Sequence, residues 1–290
     1  MNPSPKYTPD AVRQAAEGII AARPSYRELV TFYGRIFAAQ EEAGPRIRLA
    51  PMHLPEELVR IKRDEKLPLI MASEMSFDHQ VSEELLGDLC RIAAAGGSEL
   101  AGAARILSVH PEKAATLFAP FIKAQEAVVV AGADKMGVEP EFLAFFLYHS
   151  LRPSFCSCAA RLADYLESSP SGEQGYCPVC GSPPAIAWIE DQGQRYLFCS
   201  FCWHKWPVNR ALCPFCGNRG EEGLLYFYSE EEKEYRLDAC PACRRYVKAV
   251  DTRMLRRFGY PALEQVASLH LDLKAVEAGY TAAAPTRLHD

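Results

Sequence analysis

Cys177-Pro178-Val179-Cys180, Cys199-Ser200-Phe201-Cys202, Cys213-Pro214-Phe215-Cys216 and Cys240-Pro241-Ala242-Cys243 fall within 67 residues and decide how this chain is read. Two residues between cysteines let one tight turn aim both sulfurs at a single ion, and a tetrahedral site needs two such turns face to face. Four turns make two sites, with Cys177, Cys180, Cys199, Cys202, Cys213, Cys216, Cys240 and Cys243 as eight metal ligands. A thioredoxin-like redox pair would open a helix in a βαβ setting, and none of the four pairs has that context.

Gly181 and Gly217 follow the first and third pairs. Their tolerance of positive φ lets the backbone curl back towards the thiolates. Eighteen residues separate Cys180 from Cys199 and 23 separate Cys216 from Cys240, each enough for a returning hairpin, whereas ten separate Cys202 from Cys213. Consecutive pairing, giving two tandem ribbons, is the preferred reading; a cross-brace of first with third and second with fourth fits the spacing too. Full sulfur coordination leaves no open position for a catalytic water. Tetrahedral thiolate sites suit zinc and iron alike. Cys-Pro-x-Cys-Gly at both leading turns resembles rubredoxin, and Cys199-Ser200-Phe201-Cys202-Trp203 departs from that form.

Between the pairs lie strand formers: Ala185 to Ile189, Arg195 to Phe198 and Leu224 to Tyr228. Upstream the text is helical. Thr8-Pro9 offers an N-cap and a proline at the first helical position, and Ser25-Tyr26-Arg27-Glu28 fits a capping box. Asp78 and Ser98 are further caps, a long segment runs from Pro111 towards Gly132, and Pro140 and Pro153 each sit where a helix can start. The polar run Ser168 to Gly175 reads as a linker, and Tyr260 to Gly279 as one closing helix before a frayed tail. The fold class is α+β: a helical domain over 1–167, a linker over 168–175, four-cysteine β ribbons over 176–210 and 211–251, and a C-terminal helix and tail over 252–290.

With 290 residues and 49% hydrophobic content, the chain needs no metal merely to compensate for small size. Its net charge of -5 disfavours nucleic acid, and from Cys177 to Val250 nine Lys and Arg balance nine Asp and Glu. Met1 to Tyr7 shows no signal-peptide core or twin arginine, which predicts a cytoplasmic protein. No apolar run approaches the ~20 residues that cross a bilayer. Eleven cysteines in such a chain point to metal rather than disulfides.

Other candidates have plainer readings. Trp203 and Trp206 would pack one ribbon on the other rather than anchor a partner, and His204 would not ligate with eight sulfurs at hand. Cys156 and Cys158, two apart on a helix, face different ways and read as buried thiols, as does Cys90. His53, His79, His110 and His149 are too scattered for a catalytic cluster.

The four pairs in their setting, from Cys177-Pro-Val-Cys-Gly-Ser-Pro-Pro through Arg195-Tyr-Leu-Phe-Cys-Ser-Phe-Cys to Cys240-Pro-Ala-Cys-Arg-Arg-Tyr-Val-Lys, resemble the FdhE family of formate dehydrogenase accessory proteins. The likeness is strongest from Tyr176 to Asp251 and continues into Ala267 to Asp272 and Gly279-Tyr280. It implies a cytoplasmic maturation factor, not an enzyme, that binds the catalytic subunit of respiratory formate dehydrogenase before export. It also implies iron in rubredoxin-like sites held by the eight paired cysteines, which the client interaction requires. Two competing readings are an iron-based one-electron redox protein and a nucleic-acid-binding zinc-ribbon protein. No membrane insertion is expected, and a homodimer is left open.

Overall fold

The computed structural model describes residues 7–96, 98–166, 175–219, 223–229 and 232–282. Residues 168–174 of the expected linker over 168–175, and the tail beyond 282, lie outside the described residues. The chain divides into two compact units: Met1–Pro51 with Ala72–Cys158, and Met52–Met71 with Ala159–Asp290.

The first unit is helical: α1 Pro9–Ala22, α2 Arg27–Ala43, then, after the α3 excursion described below, α4 His79–Ala94, α5 Glu99–Val109, α6 Pro111–Ala115, α7 Phe118–Ile122, α8 Glu126–Met136 and most of α9 Pro140–Leu162. The side chains of Thr8, Asp78 and Ser98 accept from the amides of Ala11, Val81 and Ala101, as their cap positions predict. Ser25 does not cap α2: Pro24–Tyr26 is a 3₁₀ turn, and α2 starts at Arg27 without a side-chain cap. Apolar faces close the core around Val12, Ile19, Val30, Ile36, Leu85, Leu86 and Leu89. At Gly34 an added Cβ would lie 3.1 Å from that of Ala16, so α1 and α2 approach closely there.

Two helical expectations are corrected by proline. The segment from Pro111 towards Gly132 is three helices: Pro120 has no N–H for the Thr116 carbonyl, so α6 does not run on into α7, and Ala124, at a positive φ of 52°, separates α7 from α8. Pro153 starts no helix; it lies inside the 23-residue α9. Its missing N–H strands the His149 carbonyl, which the buried Gln40 amide binds at 2.7 Å.

The second unit begins with α3, Glu56–Asp64, and continues with seven strands: β1 Pro184–Glu190, β2 Gln194–Cys199, β3 Lys205–Val208, β4 Leu225–Ser229, β5 Glu232–Ala239, β6 Arg245–Asp251 and β7 Thr281–Ala282. Each ribbon is an antiparallel set, β1-β2-β3 and β4-β5-β6. The ribbons are not separate beads. β1 pairs in parallel with β6, matching Ala187 to Ala249 and Trp188 to Val250, so one sheet runs β3-β2-β1-β6-β5-β4. Ile186, Ala187, Trp188 and Ile189 are all buried, as befits a central strand covered on both faces.

One face of the sheet carries Ile186, Trp188, Phe198, Tyr235, Leu237, Tyr246 and Val250. The single closing helix is in fact two, α10 Pro261–Ala267 and α11 Leu269–Glu277, broken at Ser268, whose hydroxyl donates to the Glu264 carbonyl. α11 adds Leu271 and Ala275 to the same cluster. Polar ties hold these helices: Asp272 accepts from Lys248 at 2.6 Å and Tyr246 at 2.8 Å, and Arg257 and Tyr235 both bind the buried Glu264. On the opposite face Arg195 of β2 meets Asp238 of β5 at 3.0 Å with both side chains buried, reaching across β1 and β6 from one ribbon to the other. Among the described residues, no helix is long and apolar enough to cross a membrane.

Candidate metal centre

The sulfurs of Cys177, Cys180, Cys199 and Cys202 converge on one point, and those of Cys213, Cys216, Cys240 and Cys243 on another, each set within 4.8 Å. Sequential pairs therefore come together, as the tandem reading expects, and the cross-brace is not what the fold builds.

All four turns share one backbone form. The amide of the first cysteine donates to the carbonyl five residues on: Cys177 to Ser182 at 2.8 Å, Cys199 to His204 at 3.0 Å, Cys213 to Asn218 at 3.1 Å and Cys240 to Arg245 at 2.9 Å. The residue four positions on has positive φ in every case: Gly181 at 75°, Trp203 at 57°, Gly217 at 72° and Arg244 at 59°. Glycine takes this conformation freely; Trp203 and Arg244 do so against the usual steric cost and are held by their own contacts. Trp203 packs on the sheet's apolar cluster. Arg244 lies 4.2 Å over the Tyr280 ring and donates to the Ala278 and Gly279 carbonyls.

Sulfur spacing suits a tetrahedron. Four sulfurs about 2.3 Å from a central ion stand about 3.8 Å apart. Here Cys177 and Cys202 are 3.7 Å apart, Cys180 is 3.5 Å from both Cys199 and Cys202, and Cys213–Cys243 and Cys216–Cys240 are each 3.7 Å. In the first site the amides of Phe201 and Cys202 donate to the Cys199 sulfur at 3.3 and 3.4 Å, spreading negative charge off a thiolate. Burial pushes the thiols of Cys177 and Cys202 well up, while the sulfur contact from Cys177, then those from Cys199 and Cys202, pull Cys180 down. Such a set cannot ionise together without a cation, and a divalent ion at the centre supplies it. The donor set thus fits zinc or iron.

The two sites differ in exposure. All four cysteines of the first are buried; in the second Cys216 is exposed and Cys243 half-buried. His204 joins neither group. It is half-buried, desolvation pushes it down to about 4, and its ring stacks on Trp206. Cys90 is a buried thiol raised to about 12 by desolvation, and Cys156 and Cys158 lie in α9.

One contributor escapes sequence reasoning. The amides of Leu69 and Ile70 donate to the Pro178 and Val179 carbonyls, both at 2.9 Å, and the Tyr176 hydroxyl donates to the Lys66 carbonyl. The segment after α3 therefore backs the first metal turn. No composition shift at 52–71 announces it.

Residues 176–210 match the family model described as FdhE, central domain. The chain is similar to the Protein FdhE homolog of Aquifex aeolicus, 37% identical over 150 residues that are 50% of this chain and 51% of that one. It is also similar to the Protein FdhE homolog of Shewanella oneidensis, 26% identical over 66% of this chain and 61% of that one. These alignments span about half to three fifths of the relatives' length. The crystal structure of the FdhE protein from Pseudomonas aeruginosa shares the fold, with a TM-score of 0.68, 21% identity, and coverage of 98% of this chain and 97% of that one.

Proposed function

We propose, from the premise that this chain belongs to the FdhE family, that it is an accessory protein of formate dehydrogenase, binding the catalytic subunit in the cytoplasm before export. The observation that carries the reading is the pair of closed four-sulfur sites built into one sheet. Sites with every position taken by protein sulfur hold shape rather than turn over substrate, so the ribbons present a surface and the chain is not an enzyme. The eight cysteines would hold two ions, iron by family resemblance and zinc by equal chemical fit. The ions would supply charge neutralisation and cross-linking of the turns. The half-exposed second site gives some support to a second reading, one-electron transfer through iron.

The test is capture of purified formate dehydrogenase catalytic subunit by immobilised wild-type chain and by Cys213→Ser and Cys240→Ser variants. Circular dichroism and metal analysis of anaerobically purified protein run alongside. Wild type should carry two ions and retain the subunit; the variants should lose about one ion and the capture while helical signal persists. Retention of nucleic acid in place of the subunit, weakened by salt, would overturn the reading.

A further inference from the structure

A buried ion pair joins the approaches to the two metal sites. Arg195 sits in β2, the strand that ends at Cys199 in the first site. Asp238 sits in β5, which ends at Ala239, immediately before Cys240 of the second site. Their side chains are 0% and 1% exposed and meet at 3.0 Å. The same guanidinium donates to the Leu212 carbonyl at 3.5 Å, and Leu212 immediately precedes Cys213. One side chain of the first ribbon therefore holds the approach to both cysteine turns of the second.

The dependence runs from one ribbon to the other. Asp238 also accepts from the Arg236 Nε at 2.7 Å, so its charge keeps a partner within β5 whether or not β2 is in place. Arg195 has no such reserve: among the described residues, Asp238 and Leu212 are the contacts of its guanidinium, and both belong to the second ribbon. A buried charge stripped of its partner is strongly destabilising, because no water replaces what it lost. β2 therefore takes its native place at full stability only when Leu212 and Asp238 are in theirs. Those positions lead directly into the turns of Cys213 and Cys240, which a bound ion organises, since in a structural thiolate site binding energy is folding energy. Conversely, a seated Arg195 holds Leu212 and Asp238 where the second set of sulfurs converges.

We infer that the two four-sulfur sites load cooperatively, with Arg195 and Asp238 as the positioning residues that carry the coupling. Filling either site favours the other by the same factor, because coupling between two binding equilibria is reciprocal. The inference rests on the metal-binding part of the reading above and is independent of the partner. The parallel register of β1 with β6 is a second, backbone link between the ribbons, so removing the ion pair should lower the coupling rather than abolish it.

The probe is zinc(II), held at a series of free concentrations by a chelator buffer against which full-length protein is dialysed anaerobically before bound zinc per chain is measured. Cys180→Ser and Cys216→Ser, each lacking one site, give the affinity of the other site alone. Set against those two curves, wild type should show each site binding about tenfold more tightly once its neighbour is filled. The fold-keeping variant is Arg195→Met with Asp238→Leu, an apolar pair in place of the charges. It should still take up two ions, with the factor reduced to about threefold or less when the same cysteine changes are made in that background. A pair that merely stabilised the sheet would shift all the loading curves together and leave the factor unchanged. An undiminished factor in the double variant would therefore overturn the proposal, as would wild-type loading equal to the sum of the two single-site curves. The two readings fail differently. Uptake of two ions without coupling removes this inference and leaves the metal sites standing; no uptake of zinc by wild type removes both.

Discussion

Gln40 donates its side-chain amide to the carbonyl oxygen of His149, the acceptor that Pro153 deprives of its helical partner four residues on. The same side chain accepts from the Arg152 guanidinium, so one buried residue of α2 serves two groups of α9. Proline in a helix interior is costly unless the orphaned carbonyl is bonded elsewhere, and here the substitute comes from another helix.

Gln40→Leu should therefore destabilise the helical unit by about 2 kcal/mol or more, leaving a buried carbonyl and a buried guanidinium short of partners. Pro153→Ala restores an N–H for His149, so the same Gln40 change should cost less in that background. Urea denaturation of the four members of this cycle measures the coupling. Strict additivity would show that the Gln40 bond does not answer to the proline.

Burial, with the Arg152 charge second, pushes the His149 imidazole down to about 3. Its unfolded value is about 6.5. A base whose folded pKa is depressed binds its proton more readily when unfolded. Its neutral form is fully compatible with the fold above about pH 6.5, and stability falls as pH drops from there towards 3, by up to about 1.4 kcal/mol per unit. Denaturation midpoints between pH 7.5 and 4.5 should slope less steeply in His149→Gln than in wild type. Parallel slopes would remove His149 as a source of acid sensitivity.

Metal should leave the two sites at different rates. The first has no solvent-exposed sulfur, whereas Cys216 of the second is open. A colorimetric chelator should draw one equivalent quickly and one slowly from the loaded protein. Cys216→Ser should abolish the fast phase and Cys180→Ser the slow one. A single phase releasing two equivalents would contradict the difference in exposure.

Asp238→Asn should cost about 3–5 kcal/mol, because it leaves the Arg195 charge buried without its partner. Replacing both, as Arg195→Met with Asp238→Leu, should recover much of that loss. Thermal unfolding of the metal-loaded proteins, followed through tryptophan fluorescence, reports on the sheet. Equal loss in single and double variants would mean that the pair does not bind one ribbon to the other.

What the sequence discloses is local. Thr8, Asp78 and Ser98 declare helix starts because a cap is a contact within one turn, and the cysteine pairs declare metal sites because two sulfurs must share a knuckle. Gly181 and Gly217 mark the left-handed position in two turns, but Trp203 and Arg244 occupy it in the other two, stabilised by partners distant in sequence. The parallel pairing of β1 with β6 is also non-local. Its only trace is Ile186 to Ile189, a short run buried on both faces, which reads equally as half of an ordinary hairpin. Pro153 looks like a helix start because nothing near it reveals Gln40, more than a hundred positions upstream.

Lys66 and Tyr176 touch across 110 residues of chain. During synthesis the stretch around Leu69 leaves the ribosome long before Pro178 and Val179 exist to bond with it, and β1 must wait in turn for β6. Contacts of such separation close late, so the ribbon unit should mature after translation has passed Asp251, whereas the α1–α2 pair can associate within the first fifty residues. Newly made protein therefore passes through a stage with α1 and α2 paired and the thiols still unmetallated. Ion uptake by the ribbons should therefore follow, not precede, the pairing of α1 with α2.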